Sequence, residues 1–142
     1  GDIESVQAWV NKTTSTIFDN IDVLLTFKNQ CRIFLHSLPD NYGFLNCYLY
    51  GDNGSVVIKN LGYEVEHQTL IDNKYYKNYH QLSSATTEGQ PRSFMYSMVD
   101  HIVNCLDKTE TPNSTGEDGL ATLYVIEAIK KSVNKNNKII KL

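Results

Sequence analysis

The chain has 142 residues, a length that fits one domain, and its apolar and charged fractions are those of an ordinary globular protein. A net charge of −3 argues against nucleic acid or an anionic membrane as the main partner. No apolar run approaches the roughly 20 residues that span a bilayer, and no signal peptide opens the chain. We therefore expect a cytoplasmic protein. Its cysteines, Cys31, Cys47 and Cys105, are odd in number and lack C-x-x-C spacing, so we expect buried thiols that the cytosol keeps reduced and not disulfides.

Alternating apolar and polar residues predict strands over the first two-thirds of the chain. Breaks at residues 29–30, 39–41 and 51–54 separate these strands and favour hairpins. We expect an α+β fold built on an open, mainly antiparallel sheet. The predicted strands are 3–10, 21–28, 31–36, 44–50, 55–59 and 63–70.

The second face of these strands is unusually aromatic. Trp9, Phe34, Tyr48 and Tyr50 lie there according to the alternation, alongside Arg32 and His36. An open antiparallel sheet normally keeps one face for the core and one for solvent. This face has the composition of a protein–protein interface, and the alternative is tyrosines that simply decorate an exposed sheet.

The polar segment 72–90 predicts a turn-rich, mobile connection, and two helices follow it. The first, over 91–107, has Pro91 in its first turn and an apolar stripe of Phe94, Met98, Ile102 and Cys105. The second begins near Gly116, ends near Val133 and is apolar on nearly all sides. We expect the helices to cover one face of the sheet, with a further partner surface over the second helix.

The residues alone do not identify an active site. The sequence contains no G-x-G-x-x-G fingerprint and no metal-binding spacing, so each histidine is interpreted as structural and Cys105 as a packing residue. Glu117 and Asp118, with Ser114 or Thr115, fit the capped start of a helix. Arg92, at the start of the first helix, is a candidate to bind an anionic substrate group or a neighbouring carboxylate.

Several short sequence segments, taken in their order and spacing, resemble the C-terminal domain of the Gfo/Idh/MocA oxidoreductases. The pieces are the opening strand at 1–8, Leu-Tyr-Gly-Asp-Asn-Gly-Ser-Val at 49–56, Val-Asp-His-Ile-Val at 99–103, Glu-Asp-Gly-Leu-Ala at 117–121, Val-Ile-Glu-Ala-Ile-Lys-Lys-Ser at 125–132 and Lys-Ile-Ile-Lys-Leu at 138–142. Together they cover most of the chain. The start on Gly1, without a methionine, also indicates a piece of a longer protein.

The resemblance implies a single C-terminal domain over 1–142 that lacks the family's N-terminal Rossmann domain. That absent domain would hold NAD or NADP and the catalytic residues, so this chain alone would bind no cofactor and contain no catalytic or metal-binding residue. The parent would be a dehydrogenase of a sugar, polyol or similar hydroxy compound. Its sheet face would build a homo-oligomer, and its last helix would pack toward the nucleotide domain.

In some relatives an aromatic residue just before the Gly-x-x-Gly strand reaches the small-molecule substrate, and the matching residue here is Tyr42. Two other functions remain open. The absence of the family's Glu-Lys-Pro lysine from the upstream part of the parent would favour a non-catalytic sensor on the same scaffold. A start codon at Gly1, together with a monomer whose sheet face is fully hydrated, would favour a stand-alone interaction module.

Overall fold

The computed structural model describes residues 2–10, 20–37, 46–88 and 94–142. These residues form strands, two helices and one short 3₁₀ turn (Asn60–Gly62), which confirms the predicted α+β class with open, mostly antiparallel sheets. The elements in chain order are β1 (Ile3–Val10), β2 (Ile21–Phe27), β3 (Arg32–His36), β4 (Cys47–Gly51), β5 (Gly54–Lys59), β6 (Glu64–Asp72), β7 (His80–Leu82), β8 (Thr86–Glu88), α1 (Phe94–Leu106), α2 (Gly116–Asn134) and β9 (Ile140–Lys141).

The chain divides into two compact units. One comprises Gly1–Asn41 with Pro112–Leu142, and the other comprises Tyr42–Thr111. The described strands are accordingly divided between two sheets, where the sequence predicted one. Whether both units act as one C-terminal domain remains a prediction.

The first sheet has the strand order β3-β2-β1-β9, and its described pairs are antiparallel. The alternation read from the sequence is confirmed, because Val6, Ala8, Val23 and Leu25 are buried on one face. Helix α2 covers this inner face by placing Ala128 against the same four residues. Small, closely spaced side chains at the centre let the helix approach the sheet.

Ser132, one turn after Ala128, joins the helix to the sheet. Its hydroxyl accepts a hydrogen bond from the Ala8 N–H at 3.0 Å and donates one to the Lys138 carbonyl at 2.7 Å. The short strand β9 pairs only with the first half of β1, at Ser5 and Val6. Ser132 therefore satisfies a backbone donor that the β9 ladder does not reach, and it is fully buried in doing so.

The second sheet has the order β4-β5-β6-β7, and β8 also pairs with β6. The predicted hairpin at 51–54 is confirmed, with Gly51 opposite Gly54 and Asp52 and Asn53 in the turn. Gly54 has a φ of 154°, and a Cβ there would lie 2.1 Å from the Gln68 carbonyl oxygen. Only glycine fits this close approach of β5 to β6.

The interpretation of 72–90 as a turn-rich connection is wrong over part of its described length. Strands β7 and β8 lie within this segment and pair with opposite ends of β6. Each is three residues long and polar, so neither produces an alternating apolar pattern. Both form because β6 extends over nine residues and offers backbone groups to them.

Both predicted helices are confirmed, with α1 beginning at Phe94 and α2 ending at Asn134. Pro91, predicted in the first turn of α1, lies outside the described residues. Within the described residues, neither helix combines the length and apolar composition that crossing a bilayer requires.

Candidate functional site

The outer face of the first sheet, opposite α2, is organised in cross-strand rows. Trp9 lies opposite Asp22, which lies opposite His36, and Gln7, Leu24 and Phe34 form the next row. Residues in one row point to the same side of the sheet and are near enough to contact each other. Two of the predicted interface residues, Trp9 and Phe34, thus share one face.

Phe34 is the most exposed apolar residue in these two rows, with 62% of its surface accessible. Trp9 and Leu24 beside it are half-buried. The Asp22 carboxylate pairs with the His36 Nδ1 at the end of the neighbouring row. The result is an apolar centre with a charged edge, which is the usual organisation of a protein–protein contact.

Tyr48 and Tyr50 are also exposed, by 54% and 76%, but they lie on β4 in the second sheet. The sequence placed them on the same face as Trp9 and Phe34. The structure therefore divides the predicted aromatic surface between two sheets. The alternation could not reveal this division, because it assigns residues to faces and not strands to sheets.

Helix α2 exposes several large apolar side chains in addition to the residues that it packs against the sheet. Leu123 and Tyr124 are about 60% exposed, and Leu120 and Ile126 are exposed by 50% and 41%. This agrees with the sequence pattern, in which the helix is apolar on nearly all sides. A surface of this kind usually contacts a partner.

The two candidate substrate-contacting residues, Tyr42 and Arg92, lie outside the described residues. Their roles stay predictions.

The start of α2 has the capped structure that the sequence predicted. The Thr115 hydroxyl accepts from the Asp118 N–H, while the Asp118 carboxylate accepts from the Thr115 N–H at 2.8 Å. Hydrogen bonds donated to the Asp118 carboxylate, first by the Thr115 N–H and then by the Thr115 hydroxyl, hold the pKa of Asp118 below its ordinary value. The Glu117 pKa is also lowered, first by its own backbone N–H and then by Thr115. Both carboxylates therefore serve the helix and do not form an acid–base pair.

Three of the four histidines pair with carboxylates: His36 with Asp22, His80 with Asp72 and His101 with Glu110. Among the described residues, no group of three or more His, Cys, Asp or Glu side chains has the geometry to hold a metal ion.

One of these pairs, His101 with Glu110, lies beside the thiol of Cys105, which the sequence predicted as a packing residue. The Cys105 Sγ lies 3.6 Å from the His101 Nε2, and the opposite ring nitrogen of His101 lies 2.6 Å from Glu110. The spacing of four residues between His101 and Cys105 was the available signal, since such residues are neighbours on a helix.

Comparisons with known proteins match nearly all of this chain to a part of larger proteins. No curated protein matches it. Among solved structures, the WlbA dehydrogenase from Bordetella pertussis, in complex with NADH and UDP-GlcNAcA, is 18% identical with a TM-score of 0.65, over 100% of this chain and 39% of that one. An oxidoreductase from Agrobacterium radiobacter, in complex with NAD+, L-tartaric acid and magnesium, is 18% identical with a TM-score of 0.65, over 99% of this chain and 44% of that one.

These likenesses establish the fold, and the chain spans about two-fifths of the length of the two proteins. The family assignment comes from a separate match. The model of the Gfo/Idh/MocA oxidoreductase family's C-terminal alpha/beta domain matches residues 4–142, which is nearly the whole chain. The chain therefore belongs to the Gfo/Idh/MocA oxidoreductase family as its C-terminal alpha/beta domain.

Proposed function

We propose that this chain is the C-terminal part of an NAD(P)-dependent dehydrogenase that acts on a sugar, polyol or similar hydroxy compound. The observation that carries the proposal is the family match over residues 4–142. The intact parent transfers a hydride between a carbon that bears a hydroxyl and the nicotinamide. The cofactor supplies that chemistry, and this domain contributes a wall of the substrate pocket and an oligomer contact.

The ligands of the two solved relatives support this substrate class. Their structures hold NADH with UDP-GlcNAcA and NAD+ with L-tartaric acid. Both organic ligands carry hydroxyl groups on carbon together with carboxylate groups. A cationic residue in the pocket wall would suit such substrates, and Arg92 is the candidate in this chain.

Among the described residues, the Gly-x-x-Gly segment does not fit the phosphates of a dinucleotide. The pair Gly51 and Gly54 forms a hairpin between two strands, whereas a phosphate-binding glycine turn leads from a strand into a helix. The cofactor site accordingly belongs to a Rossmann domain upstream of Gly1. The exposed apolar side of α2, with Leu123 and Tyr124, is the surface that would pack toward it.

The test uses the parent protein with its upstream segment. Mixing it with NAD+ or NADP+ and a panel of sugars, polyols and hydroxy acids should produce the absorbance of reduced nicotinamide with at least one substrate. Nucleotide binding with no turnover across the panel would contradict the dehydrogenase proposal and favour a sensor. A reading frame that opens at Gly1, with no nucleotide binding, would favour an interaction module.

The role of Tyr42 is tested by Tyr42→Phe in the same parent. Loss of one hydrogen bond to substrate should raise KM about two- to ten-fold, the equivalent of 0.5–1.5 kcal/mol. Tyr75→Phe is the matched control, because Tyr75 is 82% exposed in the loop between β6 and β7. Equal KM values for the parent and both variants would remove Tyr42 from the substrate contact.

A further inference from the structure

The end of helix α1 brings together a thiol, an imidazole and a carboxylate. His101 and Cys105 are one helical turn apart, so their side chains lie on the same side of α1. The Cys105 Sγ lies 3.6 Å from the His101 Nε2, within the range of a hydrogen bond to sulfur. Cys105 is partly exposed, so small reagents in solution can reach its sulfur.

A tight turn after α1 adds the carboxylate. The Thr109 N–H bonds to the Asn104 carbonyl and the Lys108 N–H to the Cys105 carbonyl, which together form a Schellman motif with Lys108 in the left-handed conformation (φ 59°). This reversal returns the chain over the last turn of the helix. Glu110 thereby reaches His101 with one oxygen, and Asn104 donates to the other at 3.1 Å.

The carboxylate determines what the imidazole can do. Glu110 is ionised at neutral pH, because hydrogen bonds from His101 and then Asn104 lower its pKa. It accepts the hydrogen of the His101 Nδ1 at 2.6 Å, which leaves the Nε2 of neutral His101 as a proton acceptor. That nitrogen is the one that faces the thiol, so the three groups are ordered as nucleophile, base and carboxylate.

We propose that Cys105 is a reactive thiol that His101 deprotonates and that hydrogen peroxide oxidises to a sulfenic acid. The thiol proton moves to the His101 Nε2, and the sulfur attacks one peroxide oxygen. An S–O bond forms while the O–O bond breaks. The departing hydroxide takes the proton from His101 and leaves as water, so the sulfur is oxidised and the peroxide reduced. This site is separate from the proposed dehydrogenase chemistry and does not depend on it.

The other two cysteines provide internal controls. Cys31 is exposed, and Cys47 is partly exposed like Cys105. Within the part of the chain that the structure describes, neither has a histidine contact of the kind that Cys105 makes with His101. Cleavage after Lys and Arg places the three thiols on separate peptides, 29–32, 33–59 and 93–108, so the rate of each is measured in one sample. Exposure alone predicts Cys31 as the fastest, whereas base assistance predicts Cys105.

The experiment treats the native full-length protein with hydrogen peroxide and traps sulfenic acid with dimedone, and separately alkylates it with iodoacetamide. Mass spectrometry of the three peptides gives the rates. We expect Cys105 to react at least about ten-fold faster than Cys31 and Cys47 at neutral pH. Equal rates, or a faster Cys31, would overturn the proposal without any variant.

Two substitutions then test the mechanism. His101→Gln should bring the Cys105 rate close to that of Cys47, and Glu110→Gln, which keeps the side-chain shape and removes the charge, should slow Cys105 by a smaller factor. Both should leave Cys31, Cys47 and the helical circular dichroism unchanged. A Cys105 rate that is unaffected by His101→Gln would contradict the role of the imidazole. A change at all three cysteines would mean that the substitution acts through the fold. The comparison of the three cysteine rates in the unmodified protein would then decide whether Cys105 is the reactive thiol.

Discussion

At the scale of single residues, Ser132 has the clearest structural role. Replacing it with alanine removes one oxygen and leaves two polar backbone groups, the Ala8 N–H and the Lys138 carbonyl, without their partner. A buried group left without its hydrogen bond costs about 1–3 kcal/mol. We therefore expect Ser132→Ala to lower the free energy of unfolding by about 2–3 kcal/mol, measured by urea titration followed by circular dichroism.

Thr122→Ala is the matched control for this prediction. Thr122 is on the same helix, and its hydroxyl also bonds to a backbone carbonyl, that of Asp118, but at an exposed position. We expect a change within about 0.5 kcal/mol there. Similar losses in the two variants would mean that the loss at Ser132 does not come from joining α2 to the sheet, because Thr122 makes only a hydrogen bond within the helix.

Lys108 has a left-handed backbone conformation, which is unfavourable for a residue other than glycine. A non-glycine residue in the left-handed region costs about 1–2 kcal/mol, while a cation at a helix C-terminus contributes about 0.3–1 kcal/mol. The first effect is larger, so Lys108→Gly should stabilise the protein by about 0.5–1 kcal/mol. Lys135→Gly at the end of α2, where φ is −103°, should give no gain, and thermal melts of both variants test the difference.

At the scale of elements, the first turn of α2 makes stability depend on pH. The folded-state pKa of Asp118 is lowered by its hydrogen bonds to Thr115. A lowered folded-state pKa stabilises the fold above the unfolded-state pKa, and this contribution is lost as the pH falls through the folded-state value. We expect Asp118→Asn to lower Tm at pH 7 and to have a smaller effect as the pH falls through the folded-state pKa, because the carboxyl then becomes protonated in both states.

Melting curves from pH 7 to pH 3 for the parent and Asp118→Asn test this. The two Tm curves should converge toward low pH. Parallel curves would show that Asp118 acts through its shape and not its charge.

Helices and strands could be predicted from the sequence where their apolar residues recur with a clear period. Strands β1 and β2 follow the two-residue period because one face is buried, and α2 follows its capping residues at Thr115 and Asp118. Strands β7 and β8 were missed, because their pairing depends on the length of β6 and not on their own composition. The Cys105 cluster was missed because Glu110 joins it through a turn that lacks the usual glycine.

At the scale of the whole molecule, the sequence identified the correct family but not the division of the strands into two sheets. The family resemblance rests on short sequence segments in a fixed order, and a single sequence is enough to recognise them. Sheet membership depends on long-range pairing, which periodicity does not encode. Trp9 and Phe34 could therefore be assigned to a shared face, while Tyr48 and Tyr50 could not be assigned to a different sheet.

The outer face of the first sheet leads to the last prediction, which concerns assembly. If Phe34 is buried between two copies of the parent, Phe34→Asp places a carboxylate in an apolar contact and should weaken association by about 2 kcal/mol or more, about thirty-fold in Kd. Sedimentation velocity over a range of protein concentrations measures this. Tyr75→Asp, at a side chain that is 82% exposed on the second unit, is the control and should leave the oligomer intact. A parent that is monomeric at all concentrations, or an oligomer that tolerates Phe34→Asp, would mean that this face contacts something other than a second copy of the chain.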